Sequence, residues 1–186
     1  MSEEAPSKPP VGYTHKSYAK RKVMDLVATR DHSEKELRTK LRTYFRRNIL
    51  YRKRLAQKHG KEYTEDTPEN QAEITEAIDL AIEFARDHKW LGDPEVLAGK
   101  MAGMLHRKNK GISYINNYLK GKGLPPITGD RDLELEKALA LVKNKFSDFS
   151  KLPFGEKRKE QARVARFLAS RGFDSEIVRK VIYEKL

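Results

Sequence analysis

Apolar residues return at three- and four-residue intervals along most of the chain, and the strict alternation of a half-buried strand does not occur. Ala19, Val23, Leu26 and Val27 make the first stripe; Leu37, Leu41, Tyr44 and Phe45 make the second. Between about residues 48 and 70 the period weakens, and the polar, Pro-containing "KEYTEDTPEN" (61–70) predicts a linker or loop. Helical spacing resumes at Ile74, Ala77, Ile78, Ala81, Phe84 and Ala85. It breaks at Trp90-Leu91-Gly92-Asp93-Pro94, where Asp93 is placed to cap a helix and Pro94 to occupy its first position. Leu97, Met101, Met104 and Leu105 follow, then Ile115 and Leu119 after Gly111, and then a connector, "KGKGLPPITGD" (120–130). Leu135, Leu139, Val142 and Phe146 form the next stripe, and Val164, Phe167 and Leu168 another. Gly172 ends that helix, and Asp174 opens the last one, with Ile177, Val178, Val181 and Ile182.

The turn between the first two stripes, "TRDHSEKELRTKL" (29–41), is too charged to be core. Ser33 followed by Glu36 has the spacing of a capping box, so the joint ends one helix and starts another. Leu37/Leu41, Ile115/Leu119 and Val178/Ile182 each place two apolar residues four apart, soon after a break at Asp31-His32, Gly111 or Gly172. This predicts three diverged copies of a helical unit. The expected fold is all-α: tandem three-helix repeats, about eight or nine short helices, in an elongated and curved molecule. A disordered tail is expected over 1–15. Repeat 1 is placed at 16–88, with a basic insert and polar linker at about 46–72, repeat 2 at 89–147 and repeat 3 at 148–186.

Composition narrows the function. Of the 186 residues, 35% are charged and 38% apolar, enough to bury a core but with an unusual share of charge. There is no cysteine, which excludes disulfides and thiolate zinc sites. The longest apolar run, 138–142, is far short of a membrane span, and the acidic, proline-rich first ten residues do not resemble a signal peptide. A soluble cytoplasmic protein is expected, with no membrane partner. The net charge of +12 is unevenly spread: residues 16–61 have 16 Lys/Arg against 4 Asp/Glu, a local net of +12, while the stretches before and after carry −1 and +1. The densest part, "RRNILYRKRLAQKHGK" (46–61), has seven Lys/Arg and no acid. Such a run is either a solvated helix face or a surface for a polyanion, and its concentration in one quarter of the chain favours the second. Tyr44, Phe45 and Tyr51 lie among these arginines, either as core or as stacking platforms for bases.

Constellations that carry chemistry are missing. His15, His32, His59, His88 and His106 are scattered, with no His-Glu-x-x-His spacing. "GKGL" (121–124) lacks the order of a phosphate loop, so Gly121 and Gly123 read as helix-capping and turn residues. Acid pairs such as Asp130/Asp132 and Glu134/Glu136 read as solvated helix faces. No catalytic residue, metal or cofactor is called for, and binding is the better expectation.

Three segments together resemble one family. "ATRDHSEKELRTKL" (28–41) resembles the first-repeat signature of the RecX regulatory proteins, Arg-x-His-Ser/Thr-x-x-Glu-Leu-x-x-Lys-Leu, through Arg30, His32, Ser33, Glu36, Leu37, Lys40 and Leu41. "KNKGISYINNYLKGKGL" (108–124) is similar to that family's Lys-Gly-x-x-x-Ile-x-x-x-Leu-x-x-Lys-Gly-Ile through Gly111, Ile115, Leu119, Lys122 and Gly123. "RFLASRGFDSEIV" (166–178) is similar to its third-repeat Arg-Phe-Leu-x-x-Arg-Gly-Phe/Tyr segment. The chain departs from the pattern at Lys89-Trp90-Leu91-Gly92-Asp93, where the family usually has Gly-Tyr-Leu-Asp-Asp, and in the length of its basic stretch at 46–61.

The resemblance implies tandem three-helix repeats and a regulator of RecA, the bacterial recombinase that forms filaments on single-stranded DNA. Family members are thought to lie in the filament groove and to suppress its ATP hydrolysis, strand exchange and growth. The expected partners are therefore the RecA filament and single-stranded DNA, reached directly or through the filament, with the free protein a monomer. The residues expected to contact filament or DNA are Arg38, Arg42, Arg46, Arg47, Arg52, Lys53 and Arg54, joined by Lys108, Lys110, Lys120 and Lys122. The alternative is a general nucleic-acid-binding helical module that acts only by competing for DNA.

Overall fold

Thr14, Ser33 and Thr67 each sit in extended backbone and accept an amide hydrogen bond through the side chain from three residues ahead, and each starts a helix. The computed structural model describes residues 14–64, 66–146 and 152–184. Among these are eight helices and no strand: α1 (His15–Val27), α2 (Glu34–Lys58), α3 (Pro68–Asp87), α4 (Pro94–Arg107), α5 (Ile112–Lys122), α6 (Arg131–Lys145), α7 (Phe154–Arg171) and α8 (Ser175–Glu184). The all-α expectation holds, and none of these helices is long and apolar enough to cross a membrane. The expected tail lies outside the described residues over 1–13; Thr14 caps α1 and His15 is its first residue. The expected boundary at 147/148 also falls outside them.

The chain divides into two compact units, Met1–Asp93 and Pro94–Leu186. In the first, α1 lies along α3 and α2 packs on both, so that Ala19, Val23, Leu37, Leu41, Ile78 and Ile82 interlock as core. Small residues on α3 (Ala77, Ala81, Ala85) are wholly or almost wholly buried and allow that close approach. Tyr44 is half-buried against this cluster and Phe45 is inside it, so both aromatics serve the core.

The segment read as an insert and linker at 46–72 resolves into three parts. Residues 46–58 continue α2 without interruption, 59–67 connect, and 68–72 open α3. The apolar period fails over 46–58 because that half of the helix runs off the core: the last buried residue of α2 is Phe45, and Ile49 just beyond it packs partly buried against the cluster. Helix propensity and the continuous backbone ladder carry it on.

The second unit holds two clusters. Leu97, Ala98, Leu105, Ile115, Leu119 and Leu124 join α4 to α5, and Val142, Val164, Leu168, Phe173, Ile177 and Val181 join α6, α7 and α8. Gly123 and Gly172, at φ 69° and 83°, end α5 and α7 in the left-handed conformation that only glycine adopts without strain. Gly111 and Gly172, singled out as separate breaks in the sequence, touch. The Gly111 N–H donates to Arg171 O at 2.8 Å and the Ser113 N–H to Gly172 O at 3.1 Å.

Candidate polyanion-binding surface

At about 100° per residue, the cations of α2 sort into three stripes. Arg38, Arg42, Arg46 and Lys53 share one side, Arg47, Arg54 and Lys58 a second, and Arg52 continues the line of Leu41 and Phe45 beyond the core. Arg42, Arg46, Arg47, Lys53 and Arg54 are exposed, and none forms an ion pair among the described residues. Repulsion along this helix face is therefore not neutralised within the unit, and a polyanion would relieve it. Arg42 and Arg46 also stand on the wall of a groove of about 430 Å³ between α2 and α3, floored by Phe45, Ile49, Ile74 and Ile78, with Asp66 and Gln71 on its other side.

Arg38, expected among the contacts, is engaged elsewhere. Its Nε donates to Glu34 Oε1 at 2.9 Å and its Nη1 pairs with Asp79 of α3. The Asp79 and Glu34 partners push the Arg38 pKa up. Glu34 takes a second arginine, Arg86 Nη2 at 2.7 Å, and the Arg86 and Arg38 hydrogen bonds hold its carboxyl below the usual range. Arg38 thus clamps α2 to α3.

In the second unit the four expected lysines separate into two places. Lys108 and Lys110 flank the turn between α4 and α5, with the Lys110 ammonium 4.1 Å from the Tyr114 ring centroid. Lys120 and Lys122 occupy the last turn of α5, where a cation complements the helix dipole; the Lys122 ammonium lies 5.6 Å from the Tyr118 ring centroid. The length of α5, about 16 Å for an eleven-residue helix, lies between the two pairs, so they do not form one patch.

The joint at 29–41 owes its residues to a buried polar network. The Ser33 Oγ accepts the Glu36 N–H at 3.1 Å. Glu36, 6% exposed, takes both arms of Arg30, at 2.6 and 3.3 Å. His32 is fully buried; its Nδ1 lies 2.8 Å from Arg30 O and its Nε2 2.8 Å from the Lys40 ammonium. An ammonium only donates, so Nε2 accepts and Nδ1 carries the hydrogen given to the carbonyl. Burial, with the Arg30 and Lys40 charges, holds the His32 pKa below its usual value against the opposing pull of the carbonyl hydrogen bond and Glu36. The charged joint is thus a neutral histidine and an ion pair locked under a helix start.

A second joint of the same chemistry was hidden in the sequence. Glu134 of α6, read as a solvated acid, is only 4% exposed. It accepts the Ile112 N–H at 3.0 Å and pairs with Lys137, whose ammonium also donates to Lys110 O at 2.9 Å and to His106 Nδ1 at 3.1 Å. Burial and the Lys137 charge lower the His106 pKa, against Glu134. The signal was available: Glu134, Ala138 and Val142 follow one another at four-residue spacing on the buried side of α6. No group of three or more His, Asp or Glu among the described residues is arranged to hold a metal ion.

The fold and this surface define a class: an all-α protein of tandem helical units with an exposed cationic helix face. Residues 132–182 match the family model described as the third three-helix domain of RecX, which spans almost all of α6, α7 and α8 and begins before the expected start of repeat 3 at 148. The chain is 30% identical over 172 residues to the regulatory protein RecX of Serratia proteamaculans (strain 568), covering 86% of this chain and 93% of the relative. It is 28% identical to that of Pectobacterium atrosepticum over 167 residues, 87% of this chain and 93% of the relative. For Clostridioides difficile (strain 630) the figures are 26% over 176 residues, 90% and 68%. A crystal structure of regulatory protein RecX superposes with a TM-score of 0.56 at 18% identity, over 90% of this chain and 71% of that one. The chain belongs to the RecX family of regulatory proteins.

Proposed function

We propose that this chain binds the RecA filament on single-stranded DNA and lowers its ATP hydrolysis, strand exchange and growth, without catalysis of its own, as a cytoplasmic protein that is monomeric when free. The observation that carries the reading furthest is the second half of α2, where Arg46, Arg47, Lys53 and Arg54 are exposed on one continuous helix and make no ion pair among the described residues. The match of residues 132–182 to the third three-helix domain of RecX supports the same reading. Occupying the groove blocks an incoming duplex and biases protomers away from their active arrangement. Lys108, Lys110, Lys120 and Lys122 serve as secondary contacts.

The test is the steady-state rate of DNA-dependent ATP hydrolysis by RecA on preformed single-strand filaments, titrated with this protein at a salt concentration where it no longer binds bare DNA. Inhibition below one copy per protomer is expected. Reversal of Arg46, Arg47, Lys53 and Arg54 to Glu should weaken it at least tenfold with an unchanged circular dichroism spectrum. The same cations favour a second reading, competition for DNA through phosphate contacts, with affinity on the order of micromolar and a steep salt dependence. Inhibition that appears only when DNA is saturated would select it.

A further inference from the structure

Lys145 closes α6 and Arg171 closes α7, and both lean on one ring. The Lys145 ammonium lies 4.3 Å from the Phe167 centroid and the Arg171 guanidinium carbon 5.2 Å from it, so the two charges stand within about 10 Å of each other. That separation is comparable to the screening length of about 8–10 Å, so they repel. Arg171 also brings in a third cation. Its Nη1 donates to Lys108 O at 3.3 Å, while its own carbonyl accepts the Gly111 N–H at 2.8 Å. Docking of the α4–α5 turn on the end of α7 thereby gathers Lys108, Lys145 and Arg171 from three parts of the second unit. Lys108 and Lys145 are exposed, Arg171 is half-buried, and none forms an ion pair among the described residues. The carbonyls at the ends of α6 and α7 offset about half a charge each, and the rest is unmet. The nearest acid along α6 is Glu136, about 14 Å back from Lys145. Asp174, just beyond Arg171, turns to cap α8 through the Ile177 N–H at 3.0 Å. Arg163, over the neighbouring Phe146 ring, is a different case, because Glu160 takes it at 2.5 Å.

We infer that Lys108, Lys145 and Arg171 form a second polyanion contact, on the second unit, which receives the phosphates of a single-stranded nucleic acid. Two observations favour phosphates over an acidic segment of a protein. The aromatic faces here already carry cations, Lys145 and Arg171 over Phe167 and Lys110 at 4.1 Å from the Tyr114 centroid, so they offer a protein partner little apolar surface to bury. The Arg171 guanidinium is also fixed in place by a carbonyl and a ring, so it loses little freedom on meeting a partner whose charges repeat. A contact made through charge alone carries no base preference. The inference rests on the DNA contact proposed above and adds to it a second place, built from residues that α2 does not supply.

The experiment measures binding of a fluorescent thymidine oligonucleotide by the full chain over a range of salt. Lys108→Gln/Lys145→Gln removes two exposed charges and leaves the backbone carbonyl of residue 108 to hold Arg171, so its urea midpoint should stay close to wild type. It should lower the salt slope by about 1.4 and weaken binding about tenfold at low salt, and Arg171→Gln should take off about 0.7 more. Arg131→Gln/Lys180→Gln removes two charges that already pair with Glu176 and should lower the slope far less. An equal fall in both double variants would overturn the contact, because general loss of charge would then account for it. A slope lowered by reversing Arg46, Arg47, Lys53 and Arg54 to Glu but untouched by Lys108→Gln/Lys145→Gln would overturn this contact and leave the one on α2 standing. No salt-dependent binding by wild type would overturn both. Displacement of the bound oligonucleotide by polyglutamate more readily than by unlabelled thymidine strand would assign the surface to an acidic protein segment and overturn the phosphate reading.

Discussion

Two glycines at the ends of α5 should respond to alanine with opposite signs. At Gly111 the backbone is ordinary, φ −78° and ψ 163°, so a side chain brings no conformational strain. The obstacle is contact: an added Cβ would stand 2.4 Å from Gly172 O and 2.5 Å from both Gly172 C and Phe173 N. These are backbone atoms and cannot rotate aside. Relief requires moving the two turns apart by about 1 Å, which breaks the bonds from Gly111 to Arg171 and from Ser113 to Gly172, worth about 1 kcal/mol each. Residual overpacking adds about 1–3 kcal/mol, for a total near 3–5 kcal/mol. At Gly121, inside α5, nothing lies within 4 Å of an added Cβ. Alanine there restricts the unfolded chain and should stabilise by about 1 kcal/mol. The assay is urea unfolding of the full chain followed by circular dichroism, with amide exchange of Ile115 and Leu119 reporting the second unit directly. A Gly111→Ala protein within 0.5 kcal/mol of wild type, or two variants with the same sign, would refute the backbone docking of the two turns.

The buried His32 and the half-buried His106 make stability pH-dependent. Both His32 and His106 have folded pKa values lowered from the ordinary one, so below about pH 6.5 the unfolded chain takes up protons that the folded chain refuses. Their stability contribution is complete above that pH and drains away as pH falls toward the folded values. The urea midpoint should drop between pH 7.5 and 5.5, and a His32→Gln/His106→Gln protein should show a flatter profile; an equal drop would assign the effect to other groups. On the cationic surface, Arg46→Ala should reduce the salt slope of oligonucleotide binding by about one, whereas Arg38→Ala should leave it unchanged, because Glu34 and Asp79 hold that guanidinium. Equal effects would mean that Arg38 leaves its clamp on binding.

Much of the fold was legible because helical periodicity and capping chemistry agreed along the chain. Ser33, Asp174, Gly123 and Gly172 terminate helices where their chemistry predicts. The sequence misled where a residue's role depends on a distant neighbour. Residues 46–58 lost the apolar period and read as an insert, yet they continue a helix whose partner surface had ended. Glu134 read as solvated because Ile112, whose N–H it accepts, lies 22 residues away. The candidate site was legible as charge density but not as geometry. Local composition could not show that Arg38 is consumed by Asp79 of α3, since that pairing comes from packing the two helices together.

That division also separates the cations of the first unit by what they already do. Arg30 binds Glu36 and Lys40 donates to His32, so two of the signature cations at 28–41 secure the start of α2; Arg38, in the same segment, secures its seat on α3. The carboxylates that Arg30 and Arg38 bind lie within the unit and largely cancel the field of these two arginines, while the neutral His32 gives Lys40 a hydrogen-bond acceptor. About two turns of α2 beyond Arg38 there begins a run without acid, from 46 to 61, and the helix leaves the core. The only local gain from placing Arg46, Arg47, Lys53 and Arg54 on a rigid rod is that their charges keep fixed spacing. Fixed spacing is of little use to solubility, which a disordered tail supplies as well. It matters to a partner whose own charges repeat regularly, as phosphates do along a strand, because less side-chain and backbone freedom is then lost on binding. The well-capped joint is what makes the rod rigid: Ser33, His32 and the Arg30–Glu36 pair hold one end of α2, so that its other end presents the cations at a defined place.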